Sequence, residues 1–500
     1  MTLEEMKQKF QDWKFATSAY QMAITIISID KLTVAPPAGA AYRDAREAYL
    51  SGELFSMETD PEIAELFRNL LASDGLTQTE RREIELYQKE MNHILSIPKQ
   101  EYVSFRALQN RAYDVWHQAK LDSSYAQFEP VLKELIEAKR RLYSYRNSSE
   151  SVYNQMLDDF EPGMNMEKYD AFFTKVKERL VPLIQKVAAA PQPDISFLHL
   201  HYPAETQKKF TEEVLLPYLG FDHSWGYQNE TEHPFTDFTC ENDCRTTTKY
   251  LEDNVISSIF STIHETGHAW YMHDVDPAYD GSILSFGISS AMHESQSRFC
   301  ENYLGRSTAF WEALYPKLQE YFPEQLGKVS LDAFMKAVNA SMPSLVRTEA
   351  DELTYPMHIL VRYEIEKYLF AENGSADHLD ELWNAKMKEY LGVEVPNDRE
   401  GILQDVHWSS GDFGYFPTYA LGSAFGAQFF AAMKKDLDVD ECLRSGNYRT
   451  CMNWLKTHIH QYGCRYDAPK IMKMATGEEF HPEVYLDYLE EKYTKLYNLD

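Results

Sequence analysis

Apolar residues recur every three or four positions from the start of the chain. Leu3, Met6, Phe10, Trp13, Ala16, Tyr20, Ile24 and Ile27 form one stripe, which predicts a long amphipathic helix. Pro36-Pro37-Ala38-Gly39 breaks the stripe, and a second helical run follows to about Phe55. Asp60-Pro61 has the form of an N-cap followed by proline, opening a helix to about Ala72. Thr77-Gln78-Thr79-Glu80 is a capping box ahead of a helix that ends near Pro98. Long helices are predicted over about 100–121 and 128–145, then a turn at Asp158 to Gly163. A helix over about 165–188 stops at Pro191-Gln192-Pro193, and another run covers about 204–218.

From Gly220 to Arg245 the helical period disappears. The text there is aromatic and polar, with a strand-like piece from Phe235 to Thr239. Helical periodicity returns at about 251–272 and continues to the end, with loops expected at 274–287, 321–330 and 396–418. There is no internal repeat and no low-complexity linker. The expected architecture is mainly α: one large helical body over 1–500, two-lobed about a deep central cleft, with a small β element beside the helix at 251–272.

Composition narrows the function classes. The chain carries 49 basic and 78 acidic residues, a formal charge of −29. A general basic surface for nucleic acid or anionic membrane is therefore not expected. No run of about 18 apolar residues predicts a membrane span. The N-terminus lacks the basic and apolar regions of a signal peptide. Six cysteines in 500 residues do not form a disulfide framework; Cys240 and Cys244 are spaced like two ligands, but no second pair follows. Free thiols and a cytoplasmic location are expected.

The chemistry concentrates in His264-Glu265-Thr266-Gly267-His268. In a helix, positions i and i+4 share a face, so His264 and His268 can hold two corners of a zinc tetrahedron. Glu265 sits one residue round, placed to take a proton from water beside the ion rather than to bind the ion. The third ligand is expected from Ala291-Met292-His293-Glu294-Ser295-Gln296. His293 and Glu294 point about 100° apart on a helix, so one of them faces the metal. Glu294 is preferred, because two histidines and one carboxylate leave an open position, as hydrolytic sites need. Glu301, two turns on, is the rival, with a supporting carboxylate as its other reading.

Several separated motifs now resemble the carboxypeptidase Taq family of metallocarboxypeptidases. They are His233-Pro234-Phe235, Asp243-Cys244-Arg245-Thr246-Thr247, His264 to His268, His293-Glu294-Ser295-Gln296, Val346-Arg347-Thr348-Glu349-Ala350-Asp351, and Gly401 to Trp408 with its Gln404-Asp405-Val406-His407-Trp408 core. Tyr415-Phe416-Pro417-Thr418-Tyr419 and Tyr485 to Leu489 are also similar. Two stretches depart from the family pattern: Ser28-Ile29-Asp30-Lys31-Leu32 replaces an aromatic-acidic segment, and Asp222 to Glu232 is longer. The resemblance implies a large helical metallopeptidase that removes single residues from peptide C-termini. It implies zinc, or another divalent metal such as cobalt, on His264, His268 and Glu294, with Glu265 as general base, and a homodimer.

An exopeptidase of this direction must recognise a free carboxylate, which arginine does through its planar fork. Arg347 is the favoured anchor and Arg245 the second candidate; the competing reading for each is a salt bridge to Asp351 or Asp243. The oxyanion of the tetrahedral intermediate needs donors. His407 comes first, then Tyr419, with Tyr415 lining the same aromatic loop; simple core packing is the alternative for all three. His233 either borders the substrate or packs. Asp405 is placed to orient a histidine from behind. A peptidyl-dipeptidase, an oligoendopeptidase of related fold, or a non-catalytic metal-bound peptide-binding protein are the rival functions.

Overall fold

The computed structural model describes residues 1–499. The N-terminal helix runs Leu3–Thr33, opened by a capping box in which Thr2 and Glu5 satisfy each other's backbone amides. It turns at Pro37–Gly39 into the helix Ala40–Glu58. Asp60 caps Pro61–Leu71 by accepting from the Glu62 amide. Thr77 and Glu80 form the second capping box, at the start of Gln78–Leu95. Met6, Phe10, Trp13, Phe67, Leu70 and Ile84 join these helices in a small core of their own, separate from the main one. That separation gives the two lobes.

The main core begins with Lys99–Asp122 and Tyr125–Ser144 and runs to the C-terminal helix Glu483–Tyr497. One helix not expected from the sequence precedes the turn predicted at Asp158 to Gly163 and overlaps its first residues. Val152–Phe160 is helical, capped by Ser151, and buries Tyr153, Met156 and Leu157; the turn begins after Phe160. The run at 204–218 is interrupted by a π-helical turn, Thr211–Leu215. Pro217 explains it: proline has no amide to donate and its ring crowds the carbonyl one turn back, and a widened turn relieves both.

Gly226–Glu230 (β1), Thr236–Cys240 (β2) and Asp243–Thr248 (β3) form a sheet in the order β1-β3-β2, parallel between β1 and β3 and antiparallel between β2 and β3. One strand was legible in the sequence; the other two were not, because their residues are polar and only half alternate. Cys244 of β3 packs its sulfur 3.7 Å from the Ala269 carbonyl, so that face of the sheet rests on the helix Val255–His273. This helix starts four residues later than its periodicity suggests. The carbonyls of Leu251 and Glu252 are taken by Gln207 and Tyr202 instead of by the next helical turn.

A cavity of about 440 Å³ separates the two lobes beside β2. It lies between Trp13, Thr17, Gln21 and Met22 of the first helix, Asp237 to Thr239 of β2, and Gly281 to Phe286 of the following loop. No helix among the described residues is long and apolar enough to cross a membrane, and all six cysteines are free thiols.

Candidate active site

His264 and His268 stand one turn apart on Val255–His273, a helix buried on nearly every side. Glu294 comes from the short helix Ser290–Arg298, wedged between that helix and Pro417–Asp436. Two glycines make the wedge possible. A Cβ on Gly267 would lie 2.8 Å from the Gln296 carbonyl oxygen, and a Cβ on Gly422 would lie 2.9 Å from both the Ala291 carbonyl oxygen and Cβ of Glu294. Any side chain at either position pushes the helix carrying Glu294 off its seat.

The three side chains converge. Nε2 of His264 lies 3.8 Å, and Nε2 of His268 3.6 Å, from the same oxygen, Oε2 of Glu294. All three donor atoms lie within 4.8 Å of one another. Ligand bonds of zinc length place tetrahedral corners ~3.4 Å apart, so the spacing suits a small divalent cation. The other polar atoms are already engaged. Nδ1 of His264 donates to Oε2 of Glu301 at 2.9 Å, which leaves Nε2 its lone pair. Oε1 of Glu294 accepts from Nε of Arg298 at 2.7 Å.

Glu301 is therefore a supporting carboxylate of His264, lying on the side of the ring away from Glu294. It follows Ser290–Arg298 in a π-helical turn, Phe299–Gly305. Burial opposes its ionisation, but Arg298, His264 and Arg306 hold its carboxyl well below the usual range. Glu265 points to the sheet, where its Oε2 accepts from the Thr236 hydroxyl of β2 at 2.6 Å. Burial raises its pKa against the pull of His264 and Thr236.

A second cluster gathers residues from three distant motifs. Arg347 is buried, and its Nε and Nη2 grip Oδ1 of Asp405 at 3.1 and 2.8 Å. Arg362, fully buried, takes the other oxygen of Asp405 at 2.8 Å. Asp405 thus bridges two guanidiniums rather than orienting a histidine. Burial opposes its charge, yet the two arginines keep its carboxyl far below the ordinary range. Asp351, the local partner expected for Arg347, instead binds Ser341 and Thr354.

Tyr419 lies with its ring 4.9 Å from the Arg347 guanidinium, and its hydroxyl is 3.3 Å from Nε2 of His407. Burial, with Arg347 and Arg362 nearby, pushes the His407 pKa down to about 4, so the ring is neutral. Tyr415 packs edge-on to Tyr419 at 5.1 Å between ring centres. The two clusters meet at Tyr355. Its hydroxyl accepts from Nη1 of Arg347 at 3.0 Å, and the Arg298 guanidinium lies 4.4 Å from its ring. One chain of contacts runs from Glu294 through Arg298 and Tyr355 to Arg347.

Arg245 and His233 stand apart from this assembly. Arg245 binds Asp243 through both Nε and Nη2 at 2.8 Å, the competing reading of the sequence. The pleat of β3 sends it to the opposite face from Cys244, away from the histidine-bearing helix. His233 is exposed in the β1–β2 connection, its carbonyl accepting from Thr231. The longer stretch Asp222 to Glu232 supplies β1, on the sheet edge remote from Glu265.

Sequence reasoning missed Thr236, Arg298, Tyr355 and Arg362. Arg298 had a signal, four residues after Glu294 on the same helix. Arg362 had another, a charge inside the apolar run Ile359 to Tyr363. Thr236 and Tyr355 had none.

The chain matches the sequence profile of the carboxypeptidase Taq (M32) metallopeptidases over residues 9–493. It is 40% identical to carboxypeptidase 1 of Bacillus subtilis across 100% of both chains. It is 34% identical to thermostable carboxypeptidase 1 of Thermus thermophilus, over 99% of this chain and 100% of that one. The crystal structure of the M32 carboxypeptidase of Deinococcus radiodurans superposes with a TM-score of 0.96 at 30% identity, over 99% of this chain and 100% of the other. A divalent metal, peptide substrates and a predominantly helical metallopeptidase fold follow from that kinship: the chain belongs to the carboxypeptidase Taq (M32) family of metallocarboxypeptidases.

Proposed function

We propose that this metallocarboxypeptidase releases single residues from peptide C-termini, with zinc held by His264, His268 and Glu294 and with Glu265 as general base. The convergence of those three donor atoms within 4.8 Å carries the reading, with Glu265 next to His264 on the same helix. A divalent cation held there supplies Lewis acidity, lowering the pKa of water and polarising the scissile carbonyl. Glu265 accepts the proton of the attacking water, and its raised pKa makes it a stronger base. It then returns that proton to the leaving amine.

Arg347 draws the terminal carboxylate. Two guanidiniums share the one carboxylate of Asp405, which leaves a net positive charge buried in the second cluster. An anion from the substrate compensates it. His407 and Tyr419, next to Arg347, donate to the developing oxyanion, and Tyr415 walls the site. Arg245 and His233 are given outer roles along the bound peptide. The full chain acts as one catalytic unit. A homodimer in the cytoplasm completes the reading, on the family resemblance and on composition.

Digestion of a short peptide, followed by mass spectrometry of the products, tests this. A ladder of single losses from the C-terminus is expected. Losses of two residues at a time, or internal cuts, contradict it.

A further inference from the structure

The two histidines are braced by chemically different partners. Behind His264 stands the carboxylate of Glu301, itself fixed by Arg298 at 3.1 Å and Arg306 at 3.2 Å. Behind His268 stands a third histidine: Nδ1 of His268 lies 2.7 Å from Nδ1 of His293. Two ring nitrogens at that distance share one hydrogen, so one ring donates and the other accepts.

Met272 decides which. Nε2 of His293 lies 3.2 Å from the Met272 sulfur. A thioether has no hydrogen to give and can only accept. The single hydrogen of the neutral His293 ring is therefore on Nε2, and its Nδ1 presents a lone pair. His268 must then be the donor, protonated on Nδ1, with the lone pair of its Nε2 facing Glu294 at 3.6 Å.

His293 cannot turn away from this task. A Cβ on Gly287 would fall 2.6 Å from its Cδ2, so the backbone of that loop rests on the ring edge, and the Tyr271 ring centre is 5.1 Å away. The loop is pinned in turn by Cys464, whose thiol donates to the carbonyls of Phe286 and Gly287 at 3.1 and 3.2 Å. Phe286 lines the cavity between the lobes.

We propose that His293 is a positioning residue for the metal centre: it selects the tautomer of His268 that turns Nε2 to the ion, without binding the ion itself. This rests on the reading that His264, His268 and Glu294 are the ligands. The support is asymmetric. A carboxylate makes His264 the stronger donor, whereas a neutral imidazole leaves His268 the weaker and more easily lost one.

The test is metal affinity, read on the purified full-length protein by competing a chromophoric chelator for zinc, together with the visible spectrum of the cobalt-loaded form. His293→Leu removes the acceptor, and His293→Asn restores an oxygen near the position of Nδ1. The leucine variant is expected to lose roughly 10- to 100-fold in affinity, with a changed cobalt spectrum, and the asparagine variant to recover most of it. Circular dichroism of both establishes folding. Affinity and spectrum of the leucine variant equal to wild type overturn the proposal alone, as does an asparagine variant that folds but binds no better than leucine. Wild-type protein that holds no tightly bound ion overturns the ligand assignment and this proposal with it.

Discussion

The Thr236 hydroxyl lies 2.6 Å from Oε2 of Glu265 and 2.9 Å from the backbone carbonyl oxygen of the same residue. A strand of the small sheet thus holds the proposed base by its side chain. Removing the hydroxyl in Thr236→Val keeps the shape and deletes the hydrogen bond. A hydrogen bond to a charged group is worth ~1.5–3 kcal/mol, so kcat is expected to fall at least roughly tenfold. KM and metal content stay near wild type. An unchanged kcat means Thr236 does not hold Glu265 in the reacting state.

Gly422 tests the wedge that seats Glu294. In Gly422→Ala the new methyl meets the Ala291 carbonyl oxygen and Cβ of Glu294 at 2.9 Å. Overpacking of this kind costs about 1–3 kcal/mol. Thermal unfolding should show a lower midpoint, and metal titration a weaker site. Gly52 is the control: it lies inside Ala40–Glu58 with nothing within 4 Å of an added Cβ. Gly52→Ala should leave metal binding unchanged and stabilise by about 0.4–1 kcal/mol.

Glu366 gives a pH prediction away from the metal. It is fully buried, and burial pushes its pKa up to about 7 although Trp408, Gly414 and Tyr153 all donate to its carboxylate. The native state therefore keeps a proton that the unfolded chain gives up near pH 4.3. Stability is then greatest below that pH and falls as pH rises toward 7, by ~4 kcal/mol in total. Glu366→Gln removes this titration. The difference in unfolding free energy between variant and wild type should shift toward the variant between pH 5 and pH 7.5; a constant difference contradicts the prediction.

His407 is neutral above about pH 5, since burial and the two arginines push its pKa down to about 4. It can then donate to an oxyanion without changing charge as substrate binds. His407→Ala is expected to lower kcat by about 100- to 1,000-fold with a smaller change in KM. The pH–rate profile above pH 5 should keep its shape, because the lost group does not titrate there. A profile that loses a limb between pH 5 and 8 contradicts the assignment.

The helical framework was legible because its signals are local. The capping box at Thr77 and the proline after Asp60 mark helix starts with a hydrogen-bond logic that needs no tertiary partner. The convergence of His264, His268 and Glu294 was legible from helical spacing and motif order. What surrounds them was not. Asp405 finds Arg347 and Arg362 across 58 and 43 residues, and Thr236 reaches Glu265 from a strand whose pairing depends on β3. Such partners are set by packing between elements, and no local pattern records them. Arg245 shows the reverse: its bond to Asp243, two residues away, is the competing reading that sequence proximity offered beside the substrate role expected of it.

In the proposed mechanism Glu265 moves the proton while His264, His268 and Glu294 hold the metal. Glu265→Gln separates the two functions. A folded variant is expected, with one tightly bound metal per chain, affinity within a few-fold of wild type, and peptide hydrolysis reduced by at least about 100- to 10,000-fold. Metal content and peptide turnover, measured on one preparation of the variant, decide it. Substantial hydrolysis in the metal-loaded variant contradicts the proposed base, and loss of the metal from a folded variant contradicts the assignment of Glu265 as a group beside the ion rather than on it.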